Sequence, residues 1–213
     1  MTDLTEIIFI LDRSGSMAGL EADTIGGFNA TIEKQKKEEG SALVSTVLFD
    51  NTSEVIHDRI PINEVGRMTD KEYSVGGCTA LLDAIGGAIR HIGNIHKYAR
   101  KEDVPKHTLF VITTDGMENA SKSYSVDKVR DMISRQKEKY GWEFLFLGAN
   151  IDAVEEAGKI GISEEYVAQC INDSQGHKVY FGAISDAVSD IRRNKGLSRG
   201  WKSAICEDYE KRK

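Results

Sequence analysis

The chain has 213 residues, 40% hydrophobic and 29% charged, which is enough apolar material for one α/β core and short of what a second independent domain needs. Its 28 basic and 34 acidic residues leave a formal charge of -6, which argues against a broad electrostatic footprint for nucleic acid or an anionic membrane. The 3 cysteines, Cys78, Cys170 and Cys206, are far apart and form no CxxC pair, so they read as free thiols rather than a disulfide framework or a zinc site.

The start, MTDLTEIIFILDRS, carries no cationic segment before its apolar run, and that run ends at Asp12. It is too short for a signal core or a spanning helix, so the expected location is the cytoplasm. After this first strand, Ile7 to Leu11, the spacing of Ile25, Phe28 and Ile32 predicts an amphipathic helix from about Glu21 to Glu39. Leu43 to Phe49 and Glu54 to Ile60 flank the turn formers Asp50, Asn51 and Thr52, which predicts a hairpin whose second strand lies antiparallel at a sheet edge ending at Pro61. A helix follows from Ala80 to Tyr98, with Leu81, Ala84, Ile85, Ala88, Ile89 and Ile92 on one face. Next come a buried strand (Leu109 to Thr113), a helix (Val126 to Lys139) and a second buried strand (Trp142 to Leu147), with Trp142 expected in the core. Asp152 to Lys159 reads as a short helix, Tyr166 to Ile171 as a weak last strand, and Val179 to Arg193 as a closing helix. The alternation predicts a doubly wound α/β fold: a mostly parallel sheet with one antiparallel edge strand and helices on both faces. Residues 1–194 are expected to form this domain, and 195–213 an irregular C-terminal tail pinned at Trp201.

In open parallel sheets the working crevice lies outside the carboxyl ends of the strands. Oxygen-bearing side chains gather in three such places: Asp12, Ser14 and Ser16 after the first strand, Thr79 at the start of the central helix, and Asp115 after the strand at Leu109. Two carboxylates and three hydroxyls suit a hard cation such as Mg²⁺, which takes about six oxygens, and offer nothing to a soft metal. Singly, each residue has a plain structural role: a strand end, a helix cap at Ser14 or Thr79, a turn at Asp115-Gly116.

The three segments FILDRSGSM, GGCTALLDAI and ITTDGMENAS resemble, in that order, the DxSxS, threonine and aspartate loops of the von Willebrand factor type A (VWA) family. The chain looks like a small stand-alone, bacterial-type member of it. The resemblance implies a metal-ion-dependent adhesion site in which Ser14 and Ser16 hold Mg²⁺ or Mn²⁺ through their hydroxyls, and Asp12, Thr79 and Asp115 hold it directly or through water. It also implies a non-catalytic role, in which an Asp or Glu of a partner protein takes the last coordination position. Cys78 departs from the family pattern by standing between the glycine pair and Thr79.

The rival reading is a Mg²⁺-dependent phosphoryl-transfer enzyme of the haloacid-dehalogenase or receiver type, which also sets an aspartate after the first strand. The dehalogenase pattern wants a second acid where this chain has Ser14, and a receiver wants a lysine where Gly148-Ala149-Asn150 stands. Glu118 and Asn119 are candidates for the rim of the site. The basic cluster Arg192, Arg193, Lys195, Arg199 and Lys202 reads as cations at a helix end rather than a binding patch.

Overall fold

A computed structural model describes residues 4–213. Six strands, β1 (Leu4–Asp12), β2 (Ser41–Phe49), β3 (Ser53–Pro61), β4 (His107–Thr114), β5 (Glu143–Ala149) and β6 (Val167–Cys170), form one sheet in the order β3-β2-β1-β4-β5-β6. Every pairing is parallel except β2 with β3, the hairpin at the edge. The helices are α1 (Glu21–Gln35), α2 (Leu81–Tyr98), α3 (Val126–Tyr140), α4 (Ala153–Lys159), α5 (Ser174–Arg192) and α6 (Ser203–Arg212).

The period-2 pleat sorts the central strands between two cores. Ile7, Phe9 and Leu11 of β1 face one way, with Phe28 and Ile32 of α1 and Ile184 and Val188 of α5. Ile8 and Ile10 face the other, with Ile85 and Ile89 of α2, Val129 and Ile133 of α3, and Ala153 and Ala157 of α4. Because both faces are covered, β1 and β4 are buried along nearly their whole length, with continuous apolar runs at Ile7–Leu11 and Leu109–Ile112. Trp142 belongs to the second core, stacked on Phe110.

The chain departs from the expected irregular tail. Residues 203–212 form helix α6, which buries Ile205 against the sheet layer next to Trp201. The Trp201 indole donates to the Glu165 carbonyl at 2.8 Å, and Arg212 bridges Asp173 and Asp208. The sequence SAICEDYEKR has one deeply buried position and hence almost no helical period, so its helix depends on the surface it lands on.

The basic cluster is likewise structural. Arg192 is buried and donates to the carbonyls of Gln35, Glu38, Glu39 and Gly40, closing the end of α1, while Arg193 pairs with Glu38. Lys202 donates to the carbonyls of Glu164 and Val167. No helix among the described residues is long and apolar enough to cross a membrane.

Candidate metal centre

From β1 the chain winds outward through β2 to β3, then returns to add β4, β5 and β6 on the other side. The order therefore reverses between β1 and β4, and the crevice at their carboxyl ends is the switch point of the sheet. Asp12 is the last residue of β1, and Asp115 follows the last residue of β4. Both carboxylates are consequently delivered to one place by neighbouring parallel strands.

There the five candidate side chains meet. The Asp12 carboxylate accepts the Ser14 amide at 2.7 Å, the Ser14 and Ser16 hydroxyls are 3.1 Å apart, and the Ser16 hydroxyl donates to Asp115 at 2.5 Å. Thr79 arrives from the start of α2. A Cβ added to Gly116 would lie 3.0 Å from the Thr79 hydroxyl and 3.5 Å from that of Ser16, so both oxygens overhang the glycine. Asp12, Ser14, Thr79 and Asp115 are buried, and Ser16 faces solvent. The cluster is thus closed below and open above.

The capping roles that would explain these hydroxyls otherwise are filled by other groups. Ser14 precedes a short 3₁₀ turn but its side chain caps nothing there, and Ala80 rather than Thr79 takes the position before α2. The free amides at the start of α2 are satisfied from the aspartate loop: Glu118 accepts from Leu82 at 2.8 Å, and the Ser121 hydroxyl accepts from Asp83 at 2.9 Å. Glu118 also accepts from the amides of Ala120 and Ser121. Asn119 accepts the Thr79 amide at 2.9 Å and returns its own amide to the Thr79 carbonyl at 3.1 Å. Glu118 and Asn119 are therefore the clamp between two loops rather than the rim of the site. Asp83 completes the clamp. Burial pushes its carboxyl up, but the amides of Lys122, Ser123 and Tyr124 together outweigh that and hold its pKa below the ordinary value.

Further polar groups, which carry no motif in the sequence, hold the two carboxylates from behind. Thr114 donates to Asp12 at 2.7 Å, and the Tyr73 hydroxyl donates to the Asp12 carbonyl at 2.5 Å. Behind Asp115, Asn172 donates to the second carboxylate oxygen at 2.8 Å and presents its own oxygen to His177 Nε2 at 3.2 Å. Nε2 must then carry the proton, which leaves Nδ1 to accept from Tyr180 at 3.0 Å. Burial pushes the His177 pKa down to about 4 against the pull of Asp23 and Asp173, so the ring is neutral near pH 7. Asn172 was findable: it stands just past the end of β6, where the strand-end rule directs attention.

Electrostatics and donor chemistry fit a hard divalent ion. Burial raises the pKa of both Asp12 and Asp115, and for Asp115 the nearby Asp12 charge adds to it. Two desolvated carboxylates that share hydroxyl neighbours repel when ionised, and a cation between them relieves that repulsion. Cys78 is exposed, with its amide held by Asn51 at 2.6 Å, so the inserted residue is absorbed by the threonine loop without displacing Thr79.

This architecture is that of VWA domains. The chain is similar to proximal thread matrix protein 1 from the mussel byssus, solved with a zinc-occupied MIDAS motif, at TM-score 0.59 and 18% identity over 87% of this chain and 46% of that one. It is also similar to a von Willebrand factor type A protein from Catenulispora acidiphila, at TM-score 0.60 and 15% identity over 88% of this chain and 43% of that one. A third similar structure is the ArnB paralog VWA2 from Sulfolobus acidocaldarius, at TM-score 0.53 and 16% identity over 89% of this chain and 45% of that one. The chain thus spans less than half the length of each. No family model matches the sequence, and no curated protein does.

Proposed function

We propose that this chain is a non-catalytic, metal-dependent protein-interaction domain, in which Asp12, Ser14, Ser16, Thr79 and Asp115 hold Mg²⁺ or Mn²⁺ and an acidic side chain of a partner completes the coordination. The observation that carries the reading is the convergence of five oxygen side chains from three loops at the switch point, with their hydroxyls released from capping. The zinc-occupied motif of the byssus protein supports a divalent ion on this fold. The all-oxygen donor set favours Mg²⁺ or Mn²⁺ over zinc here.

The ion would supply an attachment point. Two carboxylates at most neutralise it, and any that acts through water leaves it net positive towards an incoming acid. Met117, 60% exposed on the aspartate loop, adds an apolar contact beside that point. Phosphoryl transfer finds less support, since Ser14 stands where a second acid would be needed and its hydroxyl belongs to the oxygen cluster. A cytoplasmic location is part of the proposal.

Calorimetric titration with Mn²⁺ tests the reading first. One saturable site in the wild type, lost in Asp12→Ala and Thr79→Ala, is expected. Absence of binding, or binding indifferent to both substitutions, overturns the site. Metal-dependent hydrolysis of a generic phosphoester that vanishes in Asp12→Asn overturns the non-catalytic role instead.

A further inference from the structure

At the opposite end of the sheet, the C-terminal halves of α2 and α3 and the segment entering β4 enclose a cavity of about 430 Å³. That volume falls within the range of roughly 300–1,000 Å³ usual for small-molecule sites. Its floor is apolar, made by Ile89, Met132, Pro105 and the indole of Trp142. The space exists because α2 carries Gly93 where it faces α3. A Cβ there would lie 3.3 Å from the Gln136 side chain and 3.9 Å from the Trp142 ring.

The charges around this cavity have one sign. Arg90, Lys97 and Arg135 line it, all exposed, with the His96 imidazole beside them, and among the described residues lining it none is acidic. In a chain with a net charge of -6 such a cluster runs against the overall balance. Its cations are also largely uncommitted. Arg90 and Arg135 have no ion pair among the described residues, and Lys97 sits over the Tyr98 ring at 5.0 Å. Among the nearby acids, Asp131 and Glu138 lie about a turn from Arg135 on α3 and form no ion pair with it among the described residues, while two others are engaged elsewhere. Buried Glu6 is shared between His96 and Arg59, and Asp103 pairs with Arg100 at 2.8 Å.

Three cations that form no ion pair among the described residues repel one another over an apolar floor, and an anion seated among them removes that repulsion. The geometry points to a second binding site, independent of the metal centre, for a small organic anion with an apolar body. The body rests on Trp142 and Met132, and the carboxylate, sulfonate or phosphate-ester head faces Arg90, Lys97 and Arg135.

Two probes that differ by one sulfonate test this: 8-anilinonaphthalene-1-sulfonate and uncharged N-phenyl-1-naphthylamine, titrated by fluorescence into the full chain. The sulfonate is expected to fill one saturable site and to bind about tenfold more tightly than the neutral probe. The double variant Arg90→Glu/Arg135→Glu, both on exposed positions, should weaken the sulfonate about tenfold and leave the neutral probe unchanged. Gly93→Leu, which fills the cavity and favours the helix, should exclude both probes, whereas EDTA and Asp12→Ala should alter neither. Failure of the sulfonate to saturate, equal affinity for the two probes, or binding that persists in Gly93→Leu overturns the site.

Discussion

The two ends of the sheet gather polar groups by opposite means. At the carboxyl end the side chains are short, mostly buried and held by neighbours: Asn119 grips the Thr79 backbone, Thr114 grips Asp12, and Asn172 grips Asp115. At the amino end the cations Arg90, Lys97 and Arg135 are long, exposed and lightly tethered. The difference matches the ligands proposed for each end. A small hard ion demands oxygens placed within a few tenths of an ångström, so its ligands must be locked by surrounding hydrogen bonds. An organic anion on an apolar floor tolerates side chains that adjust when it arrives.

The contrast breaks most completely at Asp12, where Asp12→Ala should cost more than about 100-fold in Mn²⁺ affinity by calorimetry, beyond the 10–100-fold usual for residues behind the ligands. A residual affinity near wild type would show that the buried carboxylates are not the site. Next comes the support behind Asp115. His177 has a pKa of about 4 in the fold against 6.5 in the unfolded chain. Between those values the unfolded chain binds more protons, so stability is lost as pH falls from about 6.5 to about 4, by up to about 3 kcal/mol. Urea unfolding at stepped pH should show that loss, and His177→Gln should flatten it. An unchanged slope would remove His177 from the account.

Asn172→Leu sharpens the comparison without touching a proposed ligand. It leaves one Asp115 oxygen without its donor and should lower Mn²⁺ affinity about tenfold with the fold retained. Affinity equal to wild type would mean that Ser16 alone suffices to orient Asp115. The smallest effect belongs to the other end, where Arg90→Glu should change unfolding free energy by no more than about 0.5 kcal/mol, because an exposed and unpaired cation contributes little to stability. A larger loss would show that the basic cluster is structural.

Much of this molecule was legible in the linear sequence because periodicity and strand-end position are local signals. The apolar runs ending at Asp12 and Thr113 marked the two strands that flank the switch point, and the order of Asp12, Ser14, Ser16, Thr79 and Asp115 placed all five candidates at strand or helix ends, where the fold brings them together. What the sequence left open depended on partners far along the chain. Glu118 and Asn119 read as loop or rim residues until α2 was seen to need their oxygens, 36 and 40 residues from the amides they accept. Asn172 and His177 acquire their role only when β6 and α5 come up behind β4, and the Ser203–Arg212 helix exists only on the surface that buries Ile205. The single-sign cavity at the other end is likewise a product of two helices packing side by side. Sequence alone placed the end of each strand to within about two residues and the buried faces of α1, α2 and α5, since 2.0 and 3.6 residue periods are written in neighbouring positions. Which polar groups support them was decided by the tertiary structure, because a hydrogen bond between distant segments depends on proximity in space and leaves no period in the chain.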